Sequence, residues 1–192
     1  LFTAQTDFSE PGELCLYIDE SQLAMLEAQM AQTGYLSGHQ MSGAFQMLRS
    51  NDLLWSRLLN EYLLGERRPM NDLMAWNADV TRMPERMHSQ YLRQLFLNDS
   101  LSEGHYRVGD RPVALLDIGT PIFSVATLTD HVAPWRSVHK LHYLTQTEIH
   151  FVLTSGGHNA GIVSEPGRPR RRYQSLTRSA GGKYVSPDEW LQ

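Results

Sequence analysis

The residues best suited to chemistry in this chain are an acid and a histidine, each set just beyond a run of apolar residues. Asp130 follows Ile122-Phe123-Ser124-Val125-Ala126, and His158 follows Ile149-His150-Phe151-Val152-Leu153, inside the stretch TSGGHNAGIV. A carboxylate that accepts a hydrogen bond from one imidazole nitrogen fixes the tautomer and stabilises the imidazolium. The other nitrogen is then left to take a proton from a nucleophile. The small residues around His158 would let a substrate come close. A plainer account also stands, in which Gly156 and Gly157 supply a turn in a surface loop and Asp130 caps the following helix. Spacing alone leans slightly to that plainer account.

A base of this kind needs a nucleophile. A nucleophile elbow requires Ser or Cys with glycine two residues away on either side, because its strained strand-to-helix turn leaves no room for side chains there. No pentapeptide of that form occurs in the sequence. Cys15, the only cysteine, sits in GELCLYI with bulky neighbours and reads as an ordinary buried thiol. Ser42, in HQMSGAF, lies within a helical stripe and fails for the same reason. His139 and His142 lie three apart on one predicted helix, with His150 on the next strand. That spacing is open to a metal, but cysteine ligands are lacking and helical His pairs are common on surfaces, so no metal site is assigned.

The elements that must position the pair come from the pattern of apolar residues. Between about 19 and 98 the pattern is helical. Asp19 is the N-cap of a first helix with Leu23, Leu26 and Met30 on one face. Met41, Ala44, Phe45 and Leu48 form a second stripe, and Leu54, Trp55, Leu58, Leu59 and Tyr62 a third that Gly65 stops. Pro84 opens a fourth, with Met87, Tyr91, Leu95 and Phe96 facing one way. All are read as core-facing. Trp76 and Trp135 are read chiefly as packing residues. After Asn98 the chain alternates. Strands are expected at Val113–Leu116 and Ile122–Ala126, a helix from Trp135 to Leu144, and a strand from Glu148 to Thr154. Strand, helix, strand implies a parallel pair covered on both faces, with a right-handed crossover. Residues beyond the carboxyl ends of such strands can meet although they are distant in sequence.

Composition bounds the rest. A chain of 192 residues with 41% hydrophobic and 20% charged residues is of globular, one-domain size. A net charge of −4 argues against a nucleic-acid footprint. Arg168, Arg170, Arg171, Arg172 and Arg178 crowd a Pro/Gly stretch that reads as a solvated loop. One cysteine excludes an intrachain disulfide and points to a reducing, cytoplasmic setting; no signal peptide or membrane-spanning run is present. The opening residues Leu1 to Asp7 have strand-like composition without an initiator Met. The closing Ser186-Pro187-Asp188-Glu189 is a capping box that announces a helix just before the chain stops. The expectation is therefore a piece of a larger protein.

The segments NDLLWSRLLNEYLLGE, DLMAWNADVTRMP, YLRQLFLND, TDHVAPW and GGHNAGIVSEPG, in this order and with LFTAQTDFSEPGEL before them, resemble the carboxyl-terminal part of the polyhydroxyalkanoate synthases. The resemblance is collinear over nearly the whole chain. It implies an α/β-hydrolase fold with an inserted helical cap: residues 1–18 leading from a core strand, 19–110 the cap, and 111–192 the α/β part carrying acid and base. It implies Asp130 as the catalytic acid, His158 as the base and His131 as the family's histidine beside the acid. A cysteine on the absent upstream half would carry the growing polyester. Asp130 would either orient the imidazole or help deprotonate the substrate hydroxyl. The implied substrate is a 3-hydroxyacyl-coenzyme A thioester, with no other cofactor. Implied associations are a homodimer through the cap and the surface of polyester granules. Trp76 falls in a cap motif and could line the entry route, and Arg170, Arg171 and Arg172 could meet coenzyme A phosphates. The chain departs from the family's Ser-Gly-His by an added Gly157 and by polar Asn159, which implies a divergent branch. An acyl-ester hydrolase of the same fold, or a non-enzymatic dimerisation module, are the other readings.

Overall fold

The computed structural model describes residues 1–48, 55–66 and 69–191. Leu54 of the third expected stripe lies outside them. The chain divides into two compact units, Asp19–Tyr91 and a second made of Leu1–Ile18 with the residues from Leu92 onward.

The Asp19–Tyr91 unit is mostly helical. Asp19 accepts a hydrogen bond from the Gln22 N–H at 2.8 Å and so starts α1 (Glu20–Thr33), which buries Leu23 and Met30. A two-residue strand β1 (Tyr35–Leu36) follows, then α2 (Gly38–Leu48), opened by reciprocal hydrogen bonds between Ser37 and Gln40. α3 (Ser56–Leu58) runs on as a π-helical turn over Leu59–Leu63. α4 (Asp72–Ala78) is capped by Asn71. β2 (Met83–Pro84) pairs antiparallel with β1, and α5 (Glu85–Tyr91) packs on α1.

Two expectations are corrected in this unit. Trp55, Leu58, Leu59 and Tyr62 are not core: Trp55 is 63% and Tyr62 81% exposed. They keep the spacing of an apolar stripe, but spacing locates such a face without telling whether another surface covers it. In α5 it is His88 that is buried, while Met87 and Tyr91 are exposed, so the inward face is turned from the one expected. Pro84 belongs to β2, and the helix begins one residue later.

The second unit carries the sheet. A 3-10 turn at Glu13–Tyr17 and a π-helical stretch at Leu92–Leu97 precede a small hairpin of β3 (Arg107–Val108) and β4 (Arg111–Pro112). The strand expected at Val113–Leu116 is absent. Pro112 ends the hairpin, Val113 N–H turns back to the Tyr106 carbonyl, and Leu115–Asp117 is a 3-10 turn with Leu116 exposed. β5 (Ile122–Thr127) and β6 (Ile149–Thr154) pair in parallel, Ile122 opposite Ile149 and Thr127 opposite Thr154. Between them the expected helix is broken at Lys140 into α6 (Trp135–His139) and α7 (Leu141–Leu144). β7 (Tyr173–Arg178), not expected from the sequence, adds antiparallel to β6. α8 (Pro187–Trp190) carries the complete Ser186/Glu189 capping box. The Leu1 to Asp7 strand shrinks to one parallel bridge between Phe2 and Val125, made by Val125 N–H to the Leu1 carbonyl and Thr3 N–H to the Val125 carbonyl; the chain turns at Thr3, φ 45°.

The core lies on one side of this sheet. Ile149, Phe151 and Leu153 alternate inward and meet Trp135, Val138 and Leu141 from the crossover, with Ala126 and Ala133. Cover on the opposite face is partial: Val125 and Thr127 of β5 are buried there. Phe123 on the opposite face is 52% exposed and stacks on His150, with ring centroids 5.4 Å apart.

Candidate functional site

Asp130 and His158 meet at the carboxyl ends of β5 and β6. Parallel register places Thr127 and Thr154 side by side as the last residues of their strands, and one further hydrogen bond, Leu128 N–H to the Thr154 carbonyl, carries the alignment past the ends. The two loops are then tied together where Thr129 N–H donates to the Gly156 carbonyl at 3.0 Å. From these anchors His158 Nδ1 reaches Asp130 Oδ2 at 2.8 Å.

The carboxylate has two separate tasks. Its Oδ1 accepts the N–H groups of Val132 and Ala133 at 2.8 and 2.9 Å, closing the turn ahead of α6, and its Oδ2 faces His158. The capping account and the pair therefore do not compete, because each uses a different oxygen. The helix α6 itself has Pro134 as its N-cap, so Asp130 caps the preceding turn. Thr127 Oγ1 lies 3.4 Å from Oδ2. Burial works to raise the Asp130 pKa, but the His158 hydrogen bond and the Ala133 and Val132 N–H groups outweigh it and hold the carboxyl below its ordinary value. An ionised carboxylate only accepts, so Nδ1 carries a proton and Nε2 presents its lone pair. The Asp130 side chain is fully buried, whereas 32% of the His158 side chain is exposed. A buried acid behind a half-open imidazole can hold the tautomer while the far nitrogen receives a proton.

Glycines in the His158 loop differ in what they permit. A Cβ on Gly156, at φ 117°, would stand on the Arg171 guanidinium, and one on Gly161 would lie 2.5 Å from Thr127 Cγ2 and 2.7 Å from the Gly157 carbonyl. Gly157 has only ordinary contacts, its nearest being Thr129 Oγ1 at 3.8 Å. Gly157, read from the sequence as an addition to Ser-Gly-His, is thus the one with room to spare. Beyond it a turn closes through Gly161 N–H to the Gly157 carbonyl and through Ile162 and Val163 N–H to the Asn159 carbonyl.

The other predicted residues separate. His131 is half-buried, and its carbonyl accepts the Glu13 N–H at 3.1 Å. Trp76 lies in α4 of the Asp19–Tyr91 unit, 58% exposed. Arg170 and Arg172 are exposed, while Arg171 is half-buried and donates to the Ser155 carbonyl at 3.0 Å. Arg178 is no part of a solvated loop. It is buried and donates through Nη2 to the carbonyls of Thr145 and Thr147 at 3.0 and 2.8 Å. Cys15 is exposed on its 3-10 turn rather than buried, because short turns on a surface leave few atoms to cover a side chain. Ser42 lies inside α2 as expected.

His139 and His142 are not a surface pair. Both are buried and stacked, centroids 4.5 Å apart, against Phe151. Among the described residues no group of three His, Cys, Asp or Glu comes together as metal ligands. Residue type alone does not single out Thr127, Thr129 or Gly161. Their only signal was position, at a strand end or beside the histidine loop.

No family model matches the chain. Among curated proteins it is 43% identical to a poly(3-hydroxyalkanoate) polymerase subunit of Rhizobium meliloti over 90% of this chain and 28% of that protein. It is 42% identical to the poly(3-hydroxyalkanoate) polymerase of Methylorubrum extorquens over 98% of this chain and 31% of that one. The polymerase subunit of Cupriavidus necator is 32% identical over 100% of this chain and 33% of its own length. The chain spans about a third of the length of the curated relatives it matches. With identity of this order sustained along nearly all of its residues, the chain belongs to the poly(3-hydroxyalkanoate) polymerase family.

Proposed function

We propose that this chain contributes the acid and base of a polyester-forming acyltransferase, with Asp130 and His158 as the pair and the nucleophile supplied from outside these residues. The observation that carries the reading is the 2.8 Å contact between His158 Nδ1 and Asp130 Oδ2 at adjacent parallel strand ends. The family gives that contact a reaction to serve. His158 Nε2 takes the proton of a cysteine thiol, the thiolate attacks the carbonyl of a 3-hydroxyacyl-coenzyme A thioester, and the coenzyme A thiolate leaves with a proton. His158 Nε2 then takes the proton of the 3-hydroxyl of the next thioester, whose oxygen attacks the acyl carbon on sulfur; the C–S bond breaks, the cysteine thiolate leaves, and the chain, one unit longer, returns to the cysteine as that unit's coenzyme A departs with the proton. Asp130 supports the imidazolium in each half of this cycle.

In this reading the sheet unit is the carboxyl-terminal part of an α/β-hydrolase core, and the Asp19–Tyr91 unit is a cap that meets the polymer and a second copy. Arg170 and Arg172, both exposed, are available to coenzyme A phosphates. His131 stands beside the acid, and Trp76 belongs to the substrate route through the cap. Cytoplasmic granules of the polyester are the proposed location. Among the described residues no helix is long and apolar enough to cross a membrane.

The test is coenzyme A release by a full-length polymerase carrying this segment. His158→Ala and Asp130→Asn should each lower kcat by about 10³ to 10⁴-fold, the range for disrupting a base or its orienting acid. Unchanged turnover would leave the dimerisation reading. Free 3-hydroxyacid accumulating in place of polymer would favour the hydrolase. The 192-residue chain alone should release no coenzyme A, and an acyl group on Cys15 after incubation with thioester would overturn the assignment of the nucleophile to another segment.

A further inference from the structure

Arg171 belongs to the machinery of the His158 loop for a reason separate from any phosphate. The chain turns at Arg168–Arg171, closing through Arg171 N–H to the Arg168 carbonyl, and Arg170 adopts the left-handed region at φ 66°, which a residue with a Cβ rarely does. That turn sends the chain back along β6. Ser155 and Arg172 then pair twice: Ser155 N–H donates to the Arg172 carbonyl at 2.8 Å, and Arg172 N–H donates to Ser155 Oγ at 3.0 Å. Arg171, just before, reaches inward and donates through Nη1 to the Ser155 carbonyl at 3.0 Å. Its guanidinium fills the space beside Gly156 that a Cβ would need.

Two successive carbonyls leading to His158 are thereby held by two separate donors. Arg171 holds that of Ser155, and Thr129 N–H, adjacent to Asp130, holds that of Gly156. Past Gly156 only Gly157 intervenes before the histidine, and a glycine link does little to restrain direction on its own. We propose that Arg171 is a positioning residue, whose guanidinium fixes the exit of the histidine loop and so the aim of His158 at its substrate. The proposal rests on the catalytic reading of His158. It differs from phosphate binding in what must be lost with the side chain, since misplacing a base slows chemistry whatever the thioester carries.

The test uses a full-length polymerase carrying this segment and two substrates: a 3-hydroxyacyl-coenzyme A thioester, and the same acyl group on a short thiol without nucleotide or phosphate. Arg171→Met should lower kcat by about 10²-fold with both substrates, the scale on which a small misplacement acts, and leave their KM ratio unchanged. Arg171→Lys, which keeps one donor without the planar fork, should recover part of the loss and also guards against a folding defect in the first variant. In Arg171→Gly, added guanidinium ion at low concentration should restore part of kcat. A rise in KM confined to the coenzyme A substrate would overturn the proposal and assign Arg171 to phosphate. Wild-type kcat in Arg171→Met, in an enzyme that His158→Ala abolishes, would overturn it as well. Turnover that survives His158→Ala would instead sink the catalytic reading beneath it.

Discussion

At the scale of residues, the chemistry of the site comes from dividing one carboxylate between two jobs. Asp130 spends Oδ1 on the turn that holds it and Oδ2 on the imidazole, so its geometry is fixed before any substrate arrives. The glycines of the histidine loop make this testable without touching either partner. Gly157→Ala should change stability by no more than about 0.5 kcal/mol, because its Cβ makes only ordinary contacts with Thr129. Gly161→Ala should cost about 1–3 kcal/mol, since its Cβ meets Thr127 and the Gly157 carbonyl, and Gly156→Ala a similar amount from its backbone angle and Arg171 together. Urea unfolding of the three variants checks the order. Equal losses at all three would mean the loop is held by something other than these contacts. Asp130 and His158 could be picked out in the sequence because each ends an apolar run. The exposure of Cys15 and the burial of Arg178 could not, since neither follows from a residue's neighbours in sequence.

At the scale of elements, what was readable was the parallel pair, and what was hidden was the strand beside it. β5 and β6 are dense in apolar and β-branched residues because one of their faces is core. β7 reads Tyr-Gln-Ser-Leu-Thr-Arg, exposed at every position but the last, so nothing in its polarity distinguishes an edge strand from the loop before it. Its one buried residue fastens it. Arg178 reaches past the end of β6 to two carbonyls in the turn after α7 and a third, more distant contact at Gly182. Arg178→Met keeps much of the stem but strands the Thr145 and Thr147 carbonyls, and should lower stability by about 2–4 kcal/mol. Hydrogen exchange should rise first in β7 and around Thr145 to Thr147. An unchanged unfolding midpoint would show that water replaces the guanidinium there at no cost. The helical stripes were harder for a related reason: periodicity locates an apolar face, but not whether another surface covers it. Trp55 and Tyr62 are the instances.

At the scale of the whole molecule, the core of the sheet unit contains two imidazoles that the proposed reaction does not use. His139 and His142 are packed among Trp135, Phe151, Tyr184 and Trp190, and both ring nitrogens of His139 and Nε2 of His142 have no hydrogen-bond partner among the described residues. Burial first, and then the positive charge of Arg136, pushes His139 down to about 4; burial, then His139 and Arg178, pushes His142 down to about 3. Both pKa values are depressed in the folded state from an ordinary 6.5, so the unfolded chain binds protons that the folded chain refuses. Stability from this source is complete above pH 6.5 and falls as pH drops toward 4 for His139 and toward 3 for His142, by at most about 3 and about 5 kcal/mol at 1.36 kcal/mol per pKa unit. Below the folded values the loss levels off. Asp130 and Asp7, both held below the ordinary carboxylate value, add a second loss that begins only as pH falls below about 4. The two windows overlap only between about 4 and about 3, where His142 is still taking up its proton. Replacing His142 with Phe should flatten the urea midpoint between pH 6.5 and 4 while leaving the steeper fall below 4, and His139→Phe should do the same. A midpoint that still drops across the upper window in the double variant would place the acid sensitivity in other groups, with buried His88 the next to replace.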